Sequence, residues 1–372
     1  MRIADANYRS IWIDRETDRP HIIDQTRLPH RFEVRRLDRL EDAAEAIRSM
    51  RVRGAPLIGA TAAHGIALAL EEDPSDAALD RAVESLRSTR PTAVNLEWAL
   101  TRMADAVRKR PASERAARAR REAVALCDED VACCEAIGEH GFAVLREIAA
   151  RRGGELVRVL THCNAGWLAT VDWGTALAPI YKAQQAGLAV HVWVDETRPR
   201  NQGASLTAFE LKEQGVSHTV VVDNAGGHLM QRGLVDVVLV GSDRTTATGD
   251  VCNKIGTYLK ALAASAHAVP FYVALPVSSI DWAIEDGIRQ IPIEERDGSE
   301  VRSVTGLTRG GLLEEVSVLP EESAVANPGF DVTPAKYVTA LITEHGAVGA
   351  SAPALAELKS RIGGVTRGGK AS

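Results

Sequence analysis

Hydrophobic and polar residues follow two different periods along the chain, and the amino-terminal half is mainly helical. Short apolar stretches at Ser10–Ile13, His21–Asp24 and Phe32–Val34 first predict a small β unit. From Leu40 to about Arg151 the spacing then fits amphipathic helices. One helix begins near Asp42, and the others are predicted over Ile58–Leu70, Leu96–Val107, Glu114–Leu126 and Val131–Ala150. Because Ile58–Leu70 is almost wholly apolar, it is typical of a buried helix.

Beyond Gly154 the pattern changes to apolar strands that alternate with helical stretches. The predicted strands are Leu156–Leu160, Ala189–Val194, Thr219–Val222, Val237–Val240 and Phe271–Leu275, with helices such as Leu206–Gln214 and Asn253–Ala264. This alternation indicates a parallel sheet covered by helices on both faces. The predicted fold is therefore α/β: a small β unit plus helical domain (1–151), a Rossmann-like catalytic domain with a parallel sheet (152–360), and a flexible tail (361–372). Arg151–Gly154 is a plausible linker.

Composition excludes several classes of protein. The chain has 372 residues, a net charge of -6 and 45% hydrophobic residues, so nothing favours nucleic acid as a partner. No apolar run approaches the roughly 18 residues of a membrane span, and Met1–Asp5 carries charge early, which favours a cytoplasmic protein. The 5 cysteines lack paired spacing, so neither a disulfide framework nor a metal site is expected. A dinucleotide fingerprint is also missing, and no cofactor is predicted.

Two predicted strands end on groups that can carry chemistry. Leu156–Leu160 leads into Cys163, and Val237–Val240 leads into Asp243. Ligands of open α/β sheets bind outside the carboxyl ends of strands, so both side chains are well placed to meet a substrate. From position alone, Cys163 fits a buried apolar side chain as well as a catalyst. Asp243 fits either a general acid with a raised pKa or a structural ion pair. His162 is no obvious activator of Cys163, because neighbouring residues of an extended chain point to opposite faces.

Loops that suit anions surround these two strand ends. Arg53-Gly54-Ala55-Pro56 precedes the apolar helix, where free N–H groups and an arginine can hold a phosphate. Arg90 begins a similar turn, and Gln202 lies in a loop after the strand Ala189–Val194. A turn from Gly249 leads to Asn253 and Lys254, which offer an amide and a cation at a predicted helix start. Each loop alone fits an ordinary turn; together they indicate a binding site.

Ordered motifs along nearly the whole chain make it resemble the methylthioribose-1-phosphate isomerases. That family belongs to a wider group with ribose-1,5-bisphosphate isomerases and regulatory subunits of a translation initiation exchange factor. The motifs that carry the resemblance are Ser10-Ile11-Trp12, Ile23-Asp24-Gln25-Thr26-Arg27-Leu28-Pro29, Arg53-Gly54-Ala55-Pro56-Leu57-Ile58-Gly59, Arg90-Pro91-Thr92-Ala93-Val94-Asn95-Leu96, Thr161-His162-Cys163-Asn164-Ala165-Gly166, Glu196-Thr197-Arg198-Pro199 with Gln202-Gly203, Gly256-Thr257-Tyr258, Ile291-Pro292-Ile293-Glu294-Glu295-Arg296 and Asn327-Pro328-Gly329-Phe330-Asp331-Val332-Thr333-Pro334.

The resemblance implies a set of roles for these residues. It implies that Cys163 and Asp243 are the catalytic pair of an aldose–ketose isomerase that acts on methylthioribose 1-phosphate in methionine salvage. It further implies a homodimer without metal or organic cofactor. The substrate-binding residues that it implies are Arg53, Gly54, Ala55, Arg90, Gln202, Asn253 and Lys254.

Some positions depart from the family pattern and leave alternatives open. Ser242 and Thr248 stand where the family pattern has Ala and Asn, and neither change removes a candidate reactive group. These departures bear on the 5-substituent, so 5-deoxyribose 1-phosphate is an additional or main alternative substrate. Ribose-1,5-bisphosphate isomerase is a further alternative, although the sequence offers no extra basic cluster for a second phosphate. A non-catalytic regulatory subunit is the remaining alternative, and it requires neither Cys163 nor Asp243.

Overall fold

The computed structural model describes residues 1–90 and 94–368. The chain begins with short strands, β1 to β5, and continues into helices α1 to α5. The strands are Arg2–Ile3, Ala6–Asn7, Ile11–Ile13, Pro20–Ile23 and Val34–Arg36, and the helices are Leu40–Arg48, Ala55–Glu72, Asp76–Arg87, Val94–Arg108 and Ala112–Arg151. The predicted small β unit is β3–β4–β5, an antiparallel three-stranded sheet. Pro91, Thr92 and Ala93 of the predicted Arg90 loop lie outside the described residues.

Helix α2 forms the centre of the first hydrophobic core. Every residue from Leu57 to Leu70 is buried, which agrees with the apolar pattern that predicted this helix. Helices α1, α3, α4 and the first half of α5 pack around it. Packing on all sides explains why the sequence of α2 lacks a polar face.

The prediction of two helices over Glu114–Leu126 and Val131–Ala150 is wrong, because α5 is one helix of 40 residues. The polar stretch between them, which suggested a break, contains neither glycine nor proline. Its members Asp128 and Glu129 are exposed, so they lie on the outer face of a continuous helix. Asp130 instead accepts a hydrogen bond from the Val171 N–H at 2.7 Å, which ties α5 to the second half of the chain.

A seven-stranded sheet organises the second half of the chain, as the α/β prediction required. In spatial order its strands are β18 (Gly346–Val348), β17 (Ala340–Thr343), β12 (Phe271–Ala274), β9 (Val237–Val240), β6 (Val157–Thr161), β7 (Val190–Asp195) and β8 (Ser217–Val221). All neighbours are parallel except β17 and β18. Its helices are α6 (Ala178–Gln185), α7 (Ala208–Glu213), α8 (Ala225–Gln231), α9 (Thr257–Ala266) and α12 (Ala352–Gly368). The predicted α/β fold class is therefore confirmed.

The strand order creates a crevice at the carboxyl edge of the sheet. From β6 the chain moves outward to β7 and β8, and it then returns to β9 on the other side of β6. Connections leave the two neighbours β6 and β9 in opposite directions, so the loops after them separate. A reversal of this kind is the usual ligand site of open α/β sheets.

A smaller sheet covers this edge, and it corrects another prediction. Its strands are β13 (Ile280–Asp281), β10 (Arg244–Thr246), β11 (Val251–Lys254) and β16 (Phe330–Thr333). The predicted helix Asn253–Ala264 was wrong at its start, because Asn253 and Lys254 belong to β11. Antiparallel pairing with β10 and β16 buries the whole strand. Gly256, with φ of 101°, then turns the chain into α9.

The remaining elements lie near the same edge or at the carboxyl end. They are the short helices α10 (Gly287–Gln290) and α11 (Ser299–Arg302) and the hairpin β14 (Ser303–Leu307) with β15 (Leu313–Ser317). Helix α12 runs to Gly368, so the predicted flexible tail, 361–372, begins within a helix. The division into 1–151, 152–360 and 361–372 stays a prediction. Within 1–90 and 94–368, no helix has both the length and the apolar character of a membrane span.

Candidate active site

A cavity of about 120 Å³ opens at the crevice between the ends of β6 and β9. The first turn of α2, the residues after β7 and strand β11 complete its wall. Although these segments are far apart in sequence, the cavity brings together every residue predicted for the site. They are Cys163, Asp243, Arg53, Gly54, Ala55, Arg90, Gln202, Asn253 and Lys254.

The backbone of Cys163 is held in an unusual conformation. Its φ is 65°, in the left-handed region that residues other than glycine rarely adopt. Two threonine hydroxyls fix it from either side: the Cys163 N–H donates to Thr197 Oγ1 at 2.8 Å, and Thr207 Oγ1 donates to the Cys163 carbonyl at 2.8 Å. Such strain persists only where the surroundings determine it, and here it turns the chain at the cavity wall.

Arg53 reaches the next residue, Asn164, from the other half of the chain. The buried Arg53 guanidinium donates to the Asn164 carbonyl oxygen at 3.3 Å and also to its side-chain oxygen. Asn164 in turn donates to Glu210 Oε1 at 2.8 Å, and Glu210 accepts from the Tyr181 hydroxyl at 2.7 Å. Burial lowers the pKa of Arg53 and raises the pKa of Glu210. The network fixes the direction in which Arg53 approaches the cavity.

The start of α2 comes unusually close to the second half of the chain. Gly54 precedes the helix with φ of 84°, and a Cβ there would lie 2.3 Å from the Ala169 carbonyl oxygen. Only glycine fits this backbone and this contact. Ala55 begins the helix, and the amino terminus of α2 therefore lies at the cavity wall, with the Ile58 N–H already bonded to the Gly54 carbonyl at 3.0 Å.

Asp243 lies three residues after β9 and faces the same cavity. Its N–H donates to the Cys252 carbonyl at 3.0 Å, which joins the loop to β11. Burial raises the pKa of the Asp243 carboxyl, while the positive charges of Lys254, Arg90 and Arg53 oppose that rise in this order. A carboxyl that keeps its proton more readily than usual can act as a general acid.

Cationic and amide groups form the rest of the wall. Lys254 Nζ donates to the Gly329 carbonyl at 3.0 Å and lies 4.7 Å from the centre of the Phe330 ring. Burial lowers the pKa of Lys254. Its neighbour Asn253 donates to Thr257 Oγ1 at 3.0 Å, and Arg90 forms an ion pair of 3.1 Å with Glu294.

Three cavity side chains have buried polar atoms that are not satisfied. Arg53 Nε, Arg90 Nε and Gln202 Oε1 have no hydrogen-bond partner within residues 1–90 and 94–368. Buried polar groups are nearly always paired, so unsatisfied ones need an explanation. Two arginine N–H groups suit phosphate oxygens, and an amide oxygen suits a hydroxyl donor.

A cluster of one histidine and two aspartates at the cavity wall is the one group with metal-like spacing in the described parts of the chain. Ligand atoms of His162, Asp195 and Asp223 lie within 4.8 Å of one another. However, Lys260 Nζ lies 3.2 Å from Asp195 Oδ2 and already supplies a positive charge there. We therefore interpret these residues as an ion-pair cluster rather than as metal ligands.

The other cysteines have surroundings that suit structural roles. Burial raises the pKa of Cys252 to about 12, and it raises the pKa of Cys133 and Cys134 further. Thiols in such places are poor nucleophiles. Cys127 lies 3.6 Å from His64 Nε2, and burial lowers the pKa of that imidazole to about 4.

Sequence reasoning missed the residues that support the site from behind. These residues carry neither a thiol nor a positive charge, and their contacts join segments that are far apart in the chain. They are Thr197, Thr207, Asn164 and Glu210. The neighbouring motifs Thr161–Gly166 and Glu196–Pro199 were the available signal. His162, which the sequence shows only as no obvious activator of Cys163, lines the cavity too.

Comparison with known proteins agrees with the resemblance. Residues 51–350 match the model of the Initiation factor 2 subunit family. The methylthioribose-1-phosphate isomerase of Methylorubrum populi is 63% identical over 358 residues, which are 96% of this chain and 98% of that protein. The enzyme of the same name from Rhodospirillum rubrum is 61% identical over 363 residues, 96% of this chain and 93% of that protein.

Solved structures give the same result. The 5-methylthioribose 1-phosphate isomerase of Pyrococcus horikoshii OT3 superimposes with a TM-score of 0.81 at 39% identity, covering 97% of this chain and 99% of that chain. The translation initiation factor eIF-2B subunit delta of A. fulgidus gives 0.78 at 40% identity, covering 94% and 100%. Since the family model spans most of the chain and relatives above 60% identity match nearly all of it, the chain belongs to the Initiation factor 2 subunit family and, within it, to the methylthioribose-1-phosphate isomerases.

Proposed function

We propose that this protein converts 5-methylthioribose 1-phosphate into 5-methylthioribulose 1-phosphate, an aldose–ketose isomerisation in methionine salvage. The observation that carries the proposal is the cavity at the β6–β9 crevice, which Cys163 and Asp243 line together with Arg53, Arg90 and Gln202, each of which has a buried polar atom without a partner. The Methylorubrum populi and Pyrococcus horikoshii relatives, matched along 98% and 99% of their lengths, are named as isomerases of methylthioribose 1-phosphate.

Binding uses the positive side of the cavity. Arg53 and Arg90 offer N–H donors to the phosphate, and the N–H groups around Gly54 and Ala55 add a helix amino terminus, which favours anions. Gln202, Asn253 and Lys254 then contact the sugar hydroxyls and the remaining phosphate oxygen. These contacts orient the sugar so that its ring oxygen faces Asp243.

Ring opening is the first chemical step. Phosphate on the anomeric oxygen prevents the spontaneous opening that free aldoses undergo, so the bond between C1 and the ring oxygen needs an acid. Asp243 donates its proton to the ring oxygen as that bond breaks, and the electron-poor C1 remains bonded to the phosphate-bearing oxygen. The raised pKa of Asp243 keeps the proton available.

Hydrogen then moves from C2 to C1 and the hydroxyl on C2 becomes the ketone. In one route Cys163 acts as the base that removes the C2 proton, and an enol carries the electrons until C1 is protonated. In the other route a hydride shifts directly from C2 to C1 while Cys163 polarises the C2 hydroxyl. In both routes the Asp243 carboxylate left by ring opening takes the proton of that hydroxyl, so the ketone forms and the acid is restored. Turnover in D₂O separates them, because solvent deuterium at C1 indicates the proton route.

The test of the function follows ketose formation from methylthioribose 1-phosphate and from 5-deoxyribose 1-phosphate. We expect turnover by the wild type, and we expect Asp243→Asn and Cys163→Ala each to lose about 100-fold to 10,000-fold in kcat, the usual worth of an acid or base. Cys127→Ala, a buried cysteine outside the cavity, is the matched control. A folded wild type that converts neither sugar contradicts the proposal.

The same assay decides the substrate. A cavity discriminates over a small apolar substituent by roughly 1–3 kcal/mol, so the two sugars should differ by a moderate factor in kcat/KM. Absence of turnover of the deoxy sugar excludes it as an alternative substrate. The homodimer and the cytoplasmic location remain predictions, to be tested by light scattering and by cell fractionation.

A further inference from the structure

His162 occupies a central position that the proposed chemistry does not use. It stands between Thr161, the last residue of β6, and Cys163, and its ring is 1% exposed. The ring also forms part of the cavity wall. A buried imidazole beside a candidate catalytic residue therefore needs a physical explanation.

Both ring nitrogens of His162 face groups that accept hydrogen bonds. Nε2 lies 2.8 Å from the Ile255 carbonyl oxygen, which can only accept, so Nε2 carries a hydrogen. Nδ1 lies 2.9 Å from Asp195 Oδ2, a carboxylate oxygen that also accepts. Two acceptors require two donors, and only the doubly protonated ring has two.

The charges around the ring balance such a cation. Asp195 is fully buried, and its Oδ2 also receives Lys260 Nζ at 3.2 Å. Asp223 Oδ1 also lies 3.9 Å from His162 Nδ1. The carboxylates of Asp195 and Asp223 thus face the ring together with the Lys260 ammonium, and two nearby carboxylates are a setting that stabilises an imidazolium.

The partners of the ring lie on the segments that form the cavity. Ile255 directly follows Lys254, at the end of β11. The Asp195 carbonyl accepts from Thr197 Oγ1 at 3.0 Å, and the same hydroxyl accepts the Cys163 N–H. A Cβ on Gly203, next to Gln202, would lie 1.7 Å from the Asp195 carbonyl oxygen, so that loop packs directly on Asp195.

We propose that His162 is a positioning residue: a doubly protonated imidazolium that ties together the segments carrying Cys163, Gln202 and Lys254. Its two N–H groups hold the end of β6 against the ends of β7 and β11. The catalytic importance of His162 rests on the proposed function, whereas the double protonation of its ring does not. Displacement of a reacting group by about 1 Å can lower the rate 100-fold, so loss of the His162 hydrogen bonds should lower the rate measurably.

The first experiment reads the ring directly in the wild-type protein. Labelling with ¹⁵N-histidine and proton-detected NMR at neutral pH should find one imidazole whose two N–H protons are both protected from exchange with water. His64, which is equally buried but has a lowered pKa of about 4, is the internal control and should show at most one such proton. Absence of any imidazole with two protected N–H protons overturns the proposal.

The second experiment replaces the ring by a free molecule. His162→Ala should lower kcat/KM by about 100-fold, and added imidazole should restore most of the loss. 4-Methylimidazole, which keeps both nitrogen donors, should also restore activity, whereas 1-methylimidazole, which can donate from only one nitrogen, should not. His64→Ala is the matched control, and its activity should not respond to any of the three compounds.

The outcomes separate this inference from the proposed function. Equal rescue by 1-methylimidazole and 4-methylimidazole overturns the two-donor tie, and so does a folded His162→Ala variant with unchanged kcat/KM. If that variant fails to fold, the NMR result on the wild type decides alone. If the wild type converts no sugar phosphate while the two protected protons are observed, the function fails and the assigned state of His162 stands.

Discussion

Asp195 and Asp243 occupy similar places in the fold and have opposite surroundings. Asp195 is the last residue of β7, and Asp243 follows β9 in the same parallel sheet. His162 and Lys260 hold the carboxylate of Asp195 at 2.9 Å and 3.2 Å. Asp243 instead faces the cavity, and burial raises the pKa of its carboxyl. The carboxylate of Asp195 is therefore paired with an imidazole and an ammonium group, whereas the surroundings of Asp243 favour a proton that can be given away.

The difference shows what a strand end does and does not determine. The end of a parallel strand brings a side chain to the edge where ligands bind. The groups packed around that side chain then determine whether it forms a structural ion pair or acts in catalysis. Asn substitutions at 195 and 243 have nearly the same shape and remove only the charge, so they test this contrast most directly.

The largest effect is expected on stability at Asp195. Asp195→Asn leaves the buried charges of His162 and Lys260 without their shared carboxylate, and breaking a buried pair typically costs about 3–5 kcal/mol in the free energy of unfolding. Urea denaturation at neutral pH measures this loss. Asp243→Asn should show no such loss, so an equal destabilisation of both variants would contradict the contrast.

A smaller and pH-dependent effect is expected on stability at Asp243. Its pKa is raised in the folded protein, so its favourable contribution to folding is complete below the ordinary pKa range of aspartate and is lost as the pH rises through the raised value. Asp243→Asn should therefore match the wild type in acid and become more stable than the wild type towards alkaline pH. Denaturation curves at several pH values check the sign, and a difference that shrinks towards alkaline pH would refute it.

The smallest effect is expected on the pH dependence of catalysis. A general acid works while protonated, so kcat/KM should fall as the pH rises through the pKa of Asp243. Lys254 is the strongest of the positive charges that lower this pKa. Lys254→Gln should therefore shift the alkaline limb of the profile of kcat/KM against pH to higher pH, whatever its effect on the maximum rate. Lys260→Gln, which removes the ammonium beside Asp195, should leave the limb in place; a limb that moves equally in both would assign the titration to another group.

Much of the site could be predicted because its parts lie in local motifs. Cys163 and Asp243 follow apolar strands, and Gly54 precedes an apolar helix, so each position could be read from a few neighbouring residues. That both strand ends line one cavity depends on β6 and β9 being adjacent. The alternation of strands and helices indicates a parallel sheet but does not give its order.

The errors arose where distant parts of the chain override the local pattern. Asn253 and Lys254 were assigned to a helix, but pairing with β10 and β16 makes them a strand. The sequence shows only that His162 and Cys163 point to opposite faces, because the partners of His162, Asp195 and Ile255, are 33 and 93 residues away in sequence. Contacts between distant residues produce no periodic pattern in the sequence, so only the folded structure reveals them.

The long helix α5 has a consequence for how the molecule can be taken apart. Ala119, Ala123 and Leu126 of its first half belong to the core around α2, whereas Ile137 and Leu145 of its second half belong to the core beneath the sheet. Helix α5 thus contributes side chains to the hydrophobic cores of both halves. A chain cut after residue 151 would separate the sheet from a helix that completes its packing. Recombinant fragments 1–151 and 152–372 should each be insoluble when produced alone and should be soluble only when they are produced together.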